Sequence, residues 1–495
     1  MYEASLALAV LCFLGVCGYY WRAPAFSVFH PLTFYLAFHG ILFVFRPIIA
    51  WARDYHSVYY TYQFTPSISD KVIVILASTV GMITFAFFSL RSGMIPMRFA
   101  EDEAIREERR RLSQIFVWVV VVCGPPAAYS MMKSYGAGAD NNLAGIVLDR
   151  NTGVSINTAN IGYITDLQLM WVSLSALIIW LGRFRLWSWM PLAAFLVLRA
   201  GTGGRGPFVA AAVSAGLFYL YEKRIRYPGL RVVLGSAAVL ALFSFVGNDR
   251  GASIRQAIGF EQADAFEKSD DGERFLEGMD FANMEYFEYL VYVIPQRSRT
   301  YDYFLDNIQI ATEPVPRVLW KSKPVGEPLR RIWLFDYGYP IGMTRSLPGE
   351  GWYALGWLGV LIWCGLWGHV LGKIYSRFAT GNQTTLKTAA YMVFLPILVV
   401  GLRDGILLTV VRQAGVYLMP ILIWFLLKKY MGIPSAADLR AFLRNAGQRT
   451  STGPTSTPVT SQPGTHLNTR LTTLPPAVQR RRRALAQASV DQAGR

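Results

Sequence analysis

The chain has 495 residues, of which 53% are hydrophobic and only 16% charged, and its formal charge is +16. That composition is too apolar for a water-soluble protein of this length. The excess charge does not point to nucleic acid, because most of it falls in short loops and in the tail, where membrane orientation explains it. Four cysteines (Cys12, Cys17, Cys123 and Cys364) all lie in apolar segments with no CxxC pair, so they read as buried thiols and not as a disulfide framework or metal site.

Apolar stretches of about 17–23 residues recur, long enough to cross a hydrocarbon core of about 30 Å as helices. Barrel-type alternation is absent, so helices must satisfy the backbone. The fold class expected is an all-α polytopic membrane protein with about 11 transmembrane helices. They run near 5–21, 28–50, 71–91, 114–132, 160–182, 186–200, 207–221, 231–248, 352–373, 387–409 and 412–428. The first has no basic stretch before it and no small-residue cleavage site after it, so it reads as a span and not a signal peptide. The segment 51–70 carries Tyr55, Tyr59, Tyr60 and Tyr62, as an interfacial belt does. The sixth and seventh spans form a helical hairpin whose tip is Gly201-Thr202-Gly203-Gly204-Arg205-Gly206. One large hydrophilic loop, 249–351, separates the eighth span from the ninth. The expected domains are therefore a transmembrane domain over 1–431 and a cytoplasmic, disordered basic tail over 432–495. The consecutive arginines Arg480 to Arg483 suit either anionic lipid or plain solvation.

Lys and Arg set the orientation. Arg22, the stretch Arg91–Arg111, Arg183 and Arg185, Lys223 to Arg231, Lys373 to Lys387, and Lys428 with Lys429 all fall on one side of the predicted spans. That side reads as cytoplasmic, and the loop 249–351 as outside. Arginine in the bilayer interior costs roughly 2.5–3.5 kcal/mol on insertion scales, so such residues face a partner or a cavity. Arg46, Arg199, Arg205, Arg403 and Arg412 all map to the outer half, where the orientation rule does not call for them. Arg403 has Asp404 beside it as a ready partner, and Arg46 could snorkel to the interface. The glycines around Arg205 would let backbone amides approach an anion, or would simply allow close helix packing. In the outer loop, Arg317, Lys321 and Lys323 stand among prolines with Trp320, cations for phosphate beside an aromatic plane for a sugar. Glu350, in Thr344-Arg345-Ser346-Leu347-Pro348-Gly349-Glu350-Gly351-Trp352, leads into the ninth span, either as a proton acceptor or as a solvated interfacial acid.

At these residues the chain resembles the oligosaccharide repeat-unit polymerases, the Wzy-type O-antigen and exopolysaccharide polymerases. The glycine turn at 201–206, the Pro-Arg-Val-Leu-Trp-Lys-Ser-Lys-Pro segment at 316–324 with the Gly-Glu-Gly-Trp approach, and Leu402-Arg403-Asp404-Gly405 carry the resemblance, which covers about 1–430. It implies a C-type glycosyltransferase-like protein of the bacterial cytoplasmic (inner) membrane with its active site on the periplasmic face. Its substrate would be a polyprenyl-diphosphate-linked oligosaccharide. No cofactor and no metal are implied; membrane lipid, a chain-length regulator and a flippase are the implied surroundings, and nucleic acid is not. Residue by residue, Arg205, Arg317 and Arg403 would clamp diphosphate with Arg199, Lys321, Lys323 and Arg412 in support. Trp320 would meet a sugar, and Glu350, or else Asp404, would take a hydroxyl proton. Two other readings stay open: an O-antigen ligase or other lipid-linked sugar transferase, and a flippase or transporter of lipid-linked glycan. The loop 249–351 lacks the histidine a ligase would use, and no internal repeat marks a transporter.

Overall fold

A computed structural model of the chain describes residues 1–99, 102–139, 146–148, 155–157, 166–200, 206–229, 276–277, 281–308, 310, 315, 319–320, 331–338, 344–381 and 383–442. The predicted eighth span, the glycine tip 201–205 and the tail beyond 442 lie outside the described residues.

Every other predicted span coincides with a helix, but not every helix is a full span. Seven among the described residues are long and apolar enough to cross a membrane. They are α1 (Tyr2–Arg22), the composite Pro31–Arg53, α5 (Ile68–Gly93), α6 (Glu103–Ala139, its apolar stretch lying within Glu103–Met132), α12 (Leu347–Thr380), α13 (Thr385–Asp404) and α14 (Leu407–Tyr430). Within the composite, α2 (Pro31–His39) runs through a π-helical turn, Gly40–Phe45, into α3 (Arg46–Arg53); a short α4 (Ser57–Tyr62) follows. The predicted fifth to seventh spans appear as α7 (Met170–Leu181), α8 (Met190–Ala200) and α9 (Gly206–Glu222), of 12, 11 and 17 residues. At 1.5 Å per residue an 11-residue helix covers about 17 Å, roughly half a hydrocarbon core. Seven of the expected eleven spans are thus matched, among the described residues, by helices long and apolar enough to cross a membrane. Two three-residue strands, β1 (Ile146–Leu148) and β2 (Ser155–Asn157), pair antiparallel after α6.

The outward surface of these helices is what lipid requires. Leu8, Leu11 and Leu14 on α1 and Leu422, Phe425 and Leu426 on α14 are exposed, while the polar side chains of the bundle are drawn inside. Helices α5 and α12 make the most extensive interhelical contact among the described residues. On α12, Gly368 and Gly372 lie against the backbone of α5, where a Cβ would strike the carbonyl oxygens of Phe85 and Ser89. Small residues spaced this way let membrane helices approach to backbone contact, where dispersion forces replace the hydrophobic effect. Toward the same end of the bundle the buried Glu108 of α6 accepts from Lys428 Nζ (2.5 Å), Thr385 N (3.0 Å) and Ala436 N (3.3 Å), tying α6 to α13 and α14.

The predicted ninth span is longer at its start and broken there. The helix begins at Leu347, but Leu355 and Gly356 leave helical geometry, so a short helix 347–354 precedes the span proper at 357–380. Gly356 takes φ +60, and a Cβ on it would lie 2.9 Å from Tyr301 Oη. The predicted tenth span, 387–409, stops at Asp404 because Gly405 caps α13 in the left-handed region (φ 75).

The predicted outer loop contains a core helix, α10 (Asn283–Val293), buried along nearly its whole length. Its anchor is Arg46, 1% exposed, which pairs with Glu285 and also donates to the carbonyls of Leu276 (2.9 Å), Phe281 and Glu277 (3.4 Å). Arg46 is thus a structural clamp. Beside it the buried Glu288 accepts from Tyr59 Oη (2.6 Å), and Lys71 Nζ lies 4.6 Å from the Tyr59 ring centroid. Burial lifts the Glu288 carboxyl to about 7, with Lys71 opposing and Glu285 adding to the rise.

Removing one partner of a buried ion pair costs about 3–5 kcal/mol, whereas replacing both is far milder. Arg46→Met is expected to lower the thermal midpoint sharply in detergent, and Arg46→Met with Glu285→Leu to recover most of it. Glu288 holds its proton more tightly folded than unfolded. Its contribution is therefore complete below the ordinary 4.5 and is lost as pH rises through about 7. Glu288→Gln should raise the midpoint relative to wild type at pH 8 but not at pH 4, read by thermal scans at the two values.

Candidate active site

Three segments far apart in sequence meet at the start of α12. The α13 helix ends at Arg403-Asp404, and Gly405 turns the chain so that α14 can begin at Leu407. A Cβ on Gly405 would run into the Ser346 carbonyl oxygen and lie 2.9 Å from Glu350 Cβ, so the turn rests flat on the first turn of α12. Ser346 caps that helix from an uncommon backbone conformation (φ 62, ψ 163), its Oγ accepting from Gly349 N at 3.4 Å. Its own N–H donates to the Arg403 carbonyl (2.8 Å). The buried amide of Asn283, at the head of α10, donates to the same carbonyl (3.0 Å), to Thr344 O (3.0 Å) and to Thr344 Oγ1 (2.6 Å). Trp363 Nε1 holds the Gly405 carbonyl at 3.0 Å.

Under this turn lies a buried charge cluster. Arg345 Nη1 reaches Asp306 Oδ2 (2.6 Å) and Glu350 Oε2 (3.0 Å), and its guanidinium lies 3.9 Å from the centroid of the Tyr353 ring. Glu350 is fully buried; its second oxygen accepts from Asn307 Nδ2 (2.8 Å), and Asn307 Oδ1 accepts from Leu407 N (3.2 Å) at the start of α14. Asp306 opens the short α11 (Leu305–Ile308). Asp302 precedes it and accepts from Asp306 N at 3.1 Å. The backbone N–H groups of Asp302 and Tyr303 donate to the Tyr353 and Ala354 carbonyls (3.1 and 2.9 Å), capping the short helix 347–354.

Two carboxyls pair with one guanidinium here and the Asp302 carboxyl lies beside them, buried, so the cluster favours retaining a proton. Burial pushes the Asp302 carboxyl up to about 7, with the Asp306 and Glu350 charges adding and Arg345 opposing. Asp302 Oδ1, Asp306 Oδ1 and Asn283 Oδ1 are buried with no hydrogen-bond partner among the described residues.

Of the sequence-derived residues, Glu350, Arg403 and Asp404 come together at this junction, with Arg403 and Asp404 partly buried. Glu350 was expected at the membrane surface, with a solvated head as its bland alternative; it is instead enclosed with both oxygens engaged. Arg412 lies farther along α14 and pairs with Asp166 at 2.6 Å. Trp320 is partly buried. The side chain of Arg199 is outside the described residues, as are Arg205, Arg317, Lys321 and Lys323. Among the described residues, no group of three or more His, Cys, Asp or Glu could hold a metal ion.

Sequence reasoning did not single out Arg345, Asp302, Asp306, Asn307 or Asn283. Arg345 stands within the Thr344–Trp352 stretch, five residues before Glu350. Asp302 and Asp306 form an i, i+4 acid pair in the outer segment.

The helices define a multi-pass membrane protein with a buried ionic junction where three non-contiguous segments meet. The family model described as O-antigen polysaccharide polymerase Wzy matches residues 1–432, and the chain belongs to that family. No curated protein and no solved structure matches it.

Because the obstacle at Gly405 is backbone, Gly405→Ala is expected to part the turn from α12 at a cost of about 1–3 kcal/mol. Gly415, with nothing within 4 Å of an added Cβ, is the control. A thermal scan in detergent should show a lowered midpoint for Gly405→Ala and an unchanged one for Gly415→Ala.

Proposed function

We propose that this protein joins polyprenyl-diphosphate-linked oligosaccharide repeat units into O-antigen or exopolysaccharide by glycosyl transfer on the outer side of the cytoplasmic membrane. Membership of the family supports the reaction class. The Lys/Arg bias of the short loops supports an outward-facing site. The observation that carries the choice of residues is the Arg403 carbonyl, which receives both the Ser346 N–H and the Asn283 amide. Two sequence segments singled out independently, 344–352 and 402–405, are thus locked together, and the Arg403 side chain leaves from their junction.

The chemistry asks for fixed cations. Breaking an anomeric C–O bond to a diphosphate leaves negative charge on the departing oxygen, and a preorganised guanidinium stabilises that charge more in the transition state than in the ground state. Arginine stays protonated and forks onto phosphate oxygens. In this reading Arg403 meets the diphosphate, Arg205 and Arg317 complete the clamp, and Arg199, Lys321, Lys323 and Arg412 support it. Trp320 stacks on a sugar ring. Glu350, expected to act as base, already accepts from Asn307 and Arg345 on its two oxygens, a geometry that favours holding Arg345 in place. Asp404, next to Arg403, orients the guanidinium.

The test is reconstitution with purified lipid-linked repeat units and a gel of the products. Wild type should give a ladder. Arg403→Ala should reduce extension by about 10²–10³-fold, the usual loss on removing one such charge stabiliser, and Arg403→Lys should not restore it. A wild-type ladder from Arg403→Ala protein would remove Arg403 from the reaction.

A further inference from the structure

Glycosyl transfer to a sugar hydroxyl needs a proton acceptor, and the geometry points to Asp302: we propose that its Oδ1 takes the proton from the acceptor hydroxyl as the glycosidic bond forms. This rests on the glycosyl-transfer reading above and adds to it the identity of the base.

Four observations single out Asp302 among the acids of the cluster. The first is a free oxygen on a carboxyl that no cation holds. Glu350 has donors on both oxygens, and Asp306, whose Oδ1 is also unpartnered, is held through Oδ2 by the Arg345 guanidinium at 2.6 Å. Among the described residues Asp302 has no ion-pair partner of its own; one oxygen accepts the Asp306 N–H and the other has no hydrogen-bond partner. A buried carboxylate oxygen without a donor is costly, and a substrate hydroxyl is the donor this reaction supplies.

The second observation is its placement. The Asp302 and Tyr303 N–H groups cap the helix that carries Glu350, and Asn307, one turn on, links Glu350 to the first residue of α14. The base is therefore fixed to the same frame as the Arg403 turn.

Third, the backbone around it is strained. Arg299, Tyr303 and Phe304 all take positive φ (54, 58 and 60). Bulky residues adopt that region at a cost, and such strain persists where surrounding structure imposes it, commonly at working sites.

Last, the charges facing Asp302 suit a base that exchanges protons near neutrality. Burial chiefly raises its carboxyl, Asp306 from its own turn and Glu350 from α12 also disfavour its ionised form, and Arg345, from the segment that leads into α12, opposes them, to about 7.

The step balances as a single displacement. The acceptor O–H proton passes to Asp302 Oδ1, the acceptor oxygen bonds to the anomeric carbon, and the C–O bond to the diphosphate breaks. Its electron pair leaves with the polyprenyl diphosphate, whose new charge the arginines receive. The anomeric configuration inverts. Asp302 then returns its proton to solvent or to the departing phosphate.

The experiment compares wild type and Asp302→Asn in reconstituted vesicles between pH 5.5 and 8.5, with purified lipid-linked repeat units at saturating and limiting concentrations. Asparagine keeps the volume and can still accept the Asp306 N–H. The wild-type rate should fall as pH drops through about 7, because the base must be unprotonated. Asp302→Asn should lose about 10²–10⁴ in kcat with KM little changed, and its residual rate should lack the acidic limb. An Asp302→Asn enzyme within threefold of wild type, or one keeping the same limb, would overturn the assignment. So would a wild-type rate that is flat from pH 8.5 to 5.5, which needs no variant and holds even if Asp302→Asn fails to fold. A wild type that makes no ladder at all would instead bring down the glycosyl-transfer reading, and Asp302 with it.

Discussion

Arg345 is a cation closed inside protein, and it survives there because Asp306 and Glu350 lie within ion-pair distance on either side and the face of Tyr353 lies against it. A buried guanidinium without such partners would be prohibitively expensive, so wherever Arg345 goes its partners must follow. That requirement reaches through three stretches of chain. It fixes 302–307 against 345–350, and through Asn307 it fixes both against Leu407. The Arg403 turn is then gripped from Ser346 and Asn283, so a residue at the end of one membrane helix is positioned by charges from segments distant in sequence. Such a junction is stiff because several of its bonds are charge-assisted and the fully buried part must be satisfied together or not at all.

The junction needs a steady platform, and α5 with α12 supplies it. Their glycine-mediated backbone contact leaves little room for the helices to slide. The break at Leu355-Gly356 then lets the same segment do two things: the span proper packs in the bundle, while the short helix before it turns aside to present Glu350 to Arg345.

The spans were legible in the sequence because lipid imposes a length and a composition that local reading detects. Their lengths were less so: over the predicted sixth and seventh spans the helices among the described residues have 11 and 17 residues. Leu402-Arg403-Asp404-Gly405 was recognisable as unusual, and its glycine explains why α13 stops. Arg46 drew attention for the right physical reason, an arginine where lipid should be, but its partners come from Leu276 to Glu285, more than two hundred residues away, which no local pattern encodes. Arg345, Asp302 and Asp306 stayed inconspicuous because a charged residue in a hydrophilic segment is unremarkable until folding encloses it.

The π-helical turn at Gly40–Phe45 has a consequence for how one continuous helix faces two surroundings. A turn of this kind holds one residue more than an α-turn, so everything beyond it is rotated by about 100° relative to an uninterrupted helix. Upstream, Tyr35 and His39 point into the aromatic stack with Phe85 and Phe43. Downstream, the offset carries Arg46 round to Glu285. The extra residue acts as a phase shifter, allowing a single hydrophobic span to keep its apolar bearing inside the bundle while delivering the Arg46 guanidinium to an acid on another element.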